Sequence, residues 1–198
     1  MASRGLPSWD NGMRVIAADR PLPIPRDARG LTFRIEPSAI FQAQYERIGV
    51  IAIQMPFKQL PQALKRGLVN GLENSWSNIY ASGLYPLKPR FTETNHSFLG
   101  YMVVTSAEFW DGLPDDVRSG LERILDEVSI EERRIAAEKA VLDREHIASG
   151  GNADIIVPTP EQLQAWRDSF EPVRAEFTET IGEEVIDAAI RAGEPKRE

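Results

Sequence analysis

After Pro114 the chain runs for 35 residues, Asp115 to Ser149, without a proline and with a single early glycine, Gly120. Within that run Leu121, Val128, Ile135 and Leu142 recur every seven residues, and Val117, Ile124 and Leu125 widen the stripe. Such a pattern predicts one continuous helix. Asp115 and Asp116 fall in its first turn, where the helix dipole favours acidic groups, and Gly150-Gly151 closes it. At 1.5 Å per residue the helix reaches roughly 50 Å, as long as a small domain is wide. A helix of this length either makes a coiled coil or bridges two lobes.

The rest of the chain reads as alternating strands and helices. Met13–Ala18 is a short β-favouring run, and residues 20–30, with three prolines and a closing glycine, read as a loop with a helical turn. Leu31–Glu36 alternates as a strand does, Ser38 opens a helix over 39–48, Val50–Met55 is a second strand, and 60–66 a short helix ending at Gly67. Strand, helix, strand, helix favours a parallel α/β sheet. Glu73–Ser82 is expected to be a short helix, 90–95 and 99–105 two strands, 153–157 a strand, and 159–192 a last helical stretch.

The 198 residues suffice for one domain or two small ones. No apolar run is long enough for a membrane helix. The absence of cysteine excludes disulfides, thiolate zinc sites and cysteine nucleophiles, and two histidines, His96 and His146, argue against a histidine-built metal site. Met1–Trp9 lacks the apolar core of a secretory signal, which by itself predicts a cytoplasmic chain. The net charge of −7 is divided unevenly: residues 1–105 carry +5 and residues 106–198 carry −12. A basic first half suits an anionic small molecule. Its cations are scattered rather than clustered, so nucleic acid is not an expected partner.

Catalytic patterns are poor. Ser97 beside His96 has no orienting acid, and nothing fixes Glu73 and Glu93 as a carboxylate pair. Two arginines matter by context. Arg34 lies inside the apolar strand LTFRIE, and Arg14 inside MRVIAA. A guanidinium in a strand that must pack needs an anion, either a bound carboxylate held two-pronged or a structural partner such as Glu36 or Asp19. The segment ENSWSNIY, 73–80, mixes polar groups with the flat surfaces of Trp76 and Tyr80. That suits a small polar ligand, or equally a polar helix start with both rings in the core.

A succession of short motifs resembles the solute-binding proteins of TRAP (tripartite ATP-independent periplasmic) transporters, the DctP-like family. They are WDNGMR at 9–14, RGLTFRI at 29–35, MPF at 55–57, QALKRGLVNG at 62–71, ENSWSNIY at 73–80, TNH at 94–96 and FWDGLP at 109–114. The resemblance implies a periplasmic-binding-protein-like α/β fold, two-lobed with a long bridging helix and N-terminally truncated. Residues 12–98 and 140–193 would form the second lobe, and 99–139 a remnant of the first plus the start of the long helix. It further implies no enzyme activity, no cofactor and no metal. The implied function is binding of a small organic carboxylate, C4-dicarboxylates among the candidates, in the periplasm, and its delivery to TRAP membrane permease subunits.

By the same resemblance Arg34 is the bidentate carboxylate anchor and Arg14 a supporting arginine. Asn74 is a hydrogen-bonding group, Phe57 and Trp76 are aromatic walls, and Asn95 and His96 lie at the return toward the first lobe. Asn70 and Leu72 replace an acidic residue and a glutamine usual in the family, and Pro86 and Pro89 interrupt a stretch that is usually continuous. The missing first lobe is expected upstream, with a genuine short product as the other explanation. Residues 99–139 are then expected to expose apolar surface. The competing reading is a non-binding fragment or a cytosolic interaction module built on the exposed helix.

Overall fold

The computed structural model describes residues 2–193. Its organising element is a 16-residue strand, β1 (Ser3–Ala18), which serves two sets of partners. The first part of β1, Ser3 to Met13, pairs antiparallel with β6 (Phe98–Ser106) as a ribbon, with register shifts between Gly5 and Ser8 and between Asp10 and Gly12. At the second shift Gly12 takes φ 127, a conformation that a side chain disfavours. The second part, Arg14 to Ala18, is the centre of the main sheet.

On one side of β1 lies β4 (Gly71–Ser75), then β2 (Thr32–Ile35) and β3 (Ile51–Gln54). On the other lie β5 (Arg90–Thr92) and β7 (Asp154–Ile156). β2 runs parallel to β3 and β4, and β5 parallel to β7, but β1 is antiparallel to both its neighbours. The sheet is therefore mixed, not parallel throughout. β1 enters it from the ribbon, without the helical crossover that a parallel neighbour requires.

Helices cover both faces. One face, carrying Val15, Ala17 and Leu72, packs under α2 (Leu60–Lys65), α3 (Trp76–Ala81) and Ile147 near the end of the long helix. The other, carrying Ile16, Ala18, Phe33 and Ile35, packs under α1 (Ala39–Arg47) and the Trp166–Phe170 part of α6 (Pro160–Ile181). Local chemistry sets the ends of these helices. Ser38 caps α1 by accepting from the Phe41 N–H at 3.3 Å, and Thr159 and Gln162 form a reciprocal capping box on α6.

The long helix, α5 (Asp115–Ser149), is continuous over its 35 residues, about 52 Å. It follows a short helix, α4 (Ala107–Asp111), and lies along β1: the Trp9 indole donates to Ser129 Oγ at 3.1 Å, and Glu132 accepts from the Asp10 N–H at 2.9 Å. The seven-residue stripe is not packed away, since Val128, Ile135 and Leu142 all stay exposed. Met102, Val104 and Phe109 on the ribbon side are exposed as well, as expected for this region.

Three further expectations are corrected. Residues 73–75 belong to a buried strand, and the helix starts only at Trp76. The last helix breaks at Gly182 (φ 94) into α6 and α7 (Glu183–Gly193). The extended chain begins at Ser3, ten residues ahead of the expected Met13.

Candidate functional site

Arg34, Asn74 and Arg14 come together because of strand direction. The C-terminal ends of β2 and β4 lie at the edge of the main sheet where the antiparallel β1 enters it, so residues 34, 74 and 14 meet there from three adjacent strands. Register assigns their faces. Arg34 pairs with Leu72, and Val15 with Asn74, so Arg34, Asn74, Leu72 and Val15 share one face. Arg14, Ile16 and Glu73 share the other.

Arg34 is 1% exposed. Its Nε donates to the Met55 carbonyl at 2.8 Å, its guanidinium lies 5.5 Å from the Phe57 ring centroid, and its buried Nη1 has no partner among the described residues. Burial holds this guanidinium below its ordinary value. Asn74 is fully buried. Its Oδ1 accepts from the Ser75 N–H and from Asn78 Nδ2, both at 2.9 Å, and its Nδ2 has no partner among the described residues. Two unpaired buried donors on one face, one of them cationic, describe a site for an oxygen anion.

Phe57 stands in the 3-10 turn after β3 and is half-buried. Trp76 opens α3, is buried against Phe91 with ring centroids 5.1 Å apart, and lies under the Arg144 guanidinium at 6.0 Å. Both belong to the packing on the Arg34 face.

Arg14 is occupied otherwise. Its Nη1 donates to Glu73 at 2.7 Å and its Nη2 to Glu36 at 2.9 Å, with the Phe41 ring 5.0 Å away. Of the structural partners weighed for the two arginines, Glu36 is used by Arg14, whereas Asp19 pairs with Lys88. Glu73 and Glu93 form no pair either, because Glu93 accepts from Arg144 at 2.6 Å. Glu73 is 0% exposed, and burial, opposed by Arg14, raises its carboxyl to about 7. Arg14 itself is raised: burial works against its charge, and the paired Glu73 and Glu36 outweigh it.

Asn95 and His96 follow β5 and stand apart from Arg34. Asn95 has φ 46 and is exposed. The His96 ring sits between Tyr45 (6.1 Å, edge-on) and Phe170 (5.9 Å), with Nε2 3.2 Å from the Tyr45 hydroxyl and Nδ1 2.7 Å from Thr94 Oγ1. Burial of that ring, helped by the nearby Arg14 charge, lowers its pKa to about 3, although the residue keeps some surface. Both residues line a polar pocket of about 380 Å³ with Gln44, Arg167 and Arg174. A larger groove, about 440 Å³, lies between α1, α6 and α7 and is apolar, lined by Ile40, Phe177, Val185 and Ile190. Its polar lining is limited to Gln44 and Arg174, and that guanidinium pairs with Glu171.

Sequence reasoning weighed Glu36 as an arginine partner but did not place Glu73 and Tyr45 near Arg14. The detectable signal was the alternation Leu72, Glu73, Asn74, Ser75, which as a strand sends Glu73 and Asn74 to opposite faces.

Over residues 2–180 the sequence matches the family described as "Bacterial extracellular solute-binding protein, family 7", DctP. The C4-dicarboxylate-binding periplasmic protein DctP of Vibrio cholerae is 40% identical over 191 residues, covering 96% of this chain and 57% of the relative. Its namesake in Rhodobacter capsulatus is 37% identical, with 95% and 56% covered. A TRAP periplasmic solute-binding protein from Shewanella oneidensis, solved with bound succinate, superposes with TM-score 0.92 at 37% identity over 97% of this chain and 63% of that one. One from Pseudomonas aeruginosa, with bound L-malate, gives 0.85 at 37% identity over 88% and 61%. The chain thus spans a little over half the length of these curated relatives. It belongs to family 7 of the bacterial extracellular solute-binding proteins.

Proposed function

We propose that this chain carries the carboxylate-anchoring part of an extracytoplasmic TRAP solute receptor for a small organic acid of the C4-dicarboxylate type. The observation that carries the reading is the buried, unpaired Nη1 of Arg34, aligned on its sheet face with the unpaired Nδ2 of Asn74. A carboxylate bridging these donors satisfies both and neutralises a buried cation. Phe57 and Trp76 furnish apolar surface on the same face, suited to the carbon skeleton of a short acid. The relatives solved with succinate and L-malate support this ligand class.

In this reading residues outside the matched segment supply the opposite wall of the cleft, closure around ligand draws on contacts made only in the closed state, and the loaded receptor docks on the permease. Residues 12–98 and 140–193 act as the anchoring lobe, and 99–139 faces the other. Arg14 supports the anchor through Glu73 and Glu36. Asn95 and His96 stand on the opposite side of the sheet, as part of the lobe rather than as ligand contacts.

The test is a calorimetric titration and a thermal-shift series with succinate, L-malate, fumarate and acetate. Stabilisation by the dicarboxylates that is lost in Arg34→Ala supports the reading. A folded chain whose affinity is the same with and without Arg34 sinks it. A folded chain that ignores every acid favours the interaction-module alternative.

A further inference from the structure

Four charged groups cluster at the edge where β1, β2 and β4 meet: Arg34 from β2, Glu36 just after it, Arg14 from β1 and Glu73 from β4. Two carboxylates share the single Arg14 guanidinium, at 2.7 and 2.9 Å. Glu73 is wholly buried, and its second oxygen, Oε1, has no hydrogen-bond partner among the described residues. The remaining cation, Arg34, keeps an unpaired nitrogen on the other face of the same sheet. With all four ionised the cluster is neutral. The other titratable groups on the Glu73 side are Tyr45 from α1 and His96 from the segment after β5. Burial raises Tyr45 well above its ordinary value and lowers His96 to about 3, so both are uncharged at neutral pH.

An anion on Arg34 upsets this balance. It cancels the positive charge that helps hold Glu73 ionised and leaves two carboxylates on one guanidinium. The least supported oxygen there is Glu73 Oε1. We propose that Glu73 is a proton-binding residue linked to the anion site: neutralising Arg34, as a bound carboxylate does, loads one proton from solvent onto Glu73. The inference rests on Arg34 being the anchor proposed above. Its consequence is that ligand and proton enter together, and affinity falls as pH rises above neutrality, by up to about tenfold in all for a midpoint shift of about one unit.

The test follows the Glu73 side-chain carboxyl by NMR in the chain labelled at glutamate, the resonance assigned by its loss in Glu73→Gln. The proposal expects a titration midpoint near neutrality that climbs by about one unit, tenfold in proton affinity, in Arg34→Gln. It stays in place in Arg34→Lys. A midpoint in the ordinary carboxylate range, or one that Arg34→Gln leaves unmoved, overturns the proposal. Glu36→Gln supplies a second variant at a half-exposed position, should Arg34→Gln not fold. Its midpoint must fall, because Arg14 is then left to Glu73 alone, and no fall overturns the shared-guanidinium basis. Saturating succinate at constant ionic strength completes the series. If succinate leaves the midpoint still while Arg34→Gln moves it, the ligand reading at Arg34 fails and the charge link to Glu73 stands.

Discussion

The ring of Phe33 lies directly over the Cα of Gly71 on the neighbouring parallel strand. A methyl group built on Gly71 would overlap the Cε1, Cδ1 and Cζ atoms of that ring. Phe33 is fully buried and also packs on Tyr45, centroids 5.4 Å apart, so it has nowhere to retreat. Gly71→Ala is expected to cost about 1–3 kcal/mol through overpacking. Thermal denaturation reads this as a fall in Tm of several degrees, and a Tm equal to that of the parent contradicts the packing.

Arg34→Ala removes the proposed anchor, and in that reading Asn74 alone is left to meet the ligand. Stripping one partner from a buried ion pair costs about 3 kcal/mol or more, about a hundredfold in affinity. Titration calorimetry with succinate should show that loss beside an unchanged circular dichroism spectrum. Arg34→Lys retains the charge without the planar fork and is expected to fall between the two.

Stability should respond to pH through two groups of opposite sign. Glu73 is raised from 4.5 to about 7. Its contribution is complete below about pH 4.5 and is lost as pH rises through 7, because the unfolded chain releases the proton first. His96 is lowered from 6.5 to about 3. Its contribution is complete above about pH 6.5 and is lost as pH falls toward 3. Between 4.5 and 6.5 the two oppose each other and the profile is flattened. Urea melts across pH 3–8 should show Glu73→Gln removing the decline toward neutrality and His96→Gln reducing the acid loss. A variant whose profile parallels that of the parent refutes the assignment for that group.

Ser75 links the ribbon to the site. Its Oγ caps α3 by accepting from the Asn78 N–H at 3.3 Å, and it donates to Asn11 Oδ1. Ser75→Ala should cost about 1 kcal/mol from the cap. It should also speed amide exchange at 11–14 and 76–79 relative to the rest of the sheet. Uniform exchange would limit Ser75 to a cap.

The parts legible in the sequence were those with strong local signals. Thirty-five residues without proline fixed α5, and a lone guanidinium in LTFRIE marked Arg34. What escaped was decided by partners distant in sequence. Ser3 to Gly12 has no alternation and is extended because β6 pairs with it, some ninety residues away. Gly71–Ser75 carries one apolar side chain, Leu72, and reads as polar; pairing with β1 and β2 buries it and gives Glu73 its salt bridge. Gly182 lay inside an otherwise helical pattern, and only its φ of 94 shows the break. The stripe of α5 marked an apolar face but not its partner: Val128, Ile135 and Leu142 stay exposed, since periodicity reports a face and not what covers it.

β1 is both the ribbon's strand and the sheet's centre, with no loop between the two roles. The register shift at Asp10 to Gly12 is followed within two residues by Arg14, the guanidinium that two carboxylates share. The ribbon and the ion cluster therefore share one strand, with only the irregularity at Asp10 to Gly12 between them. One glycine, Gly12, is the joint at which the direction of the ribbon and the placing of the Arg14 charges are set together.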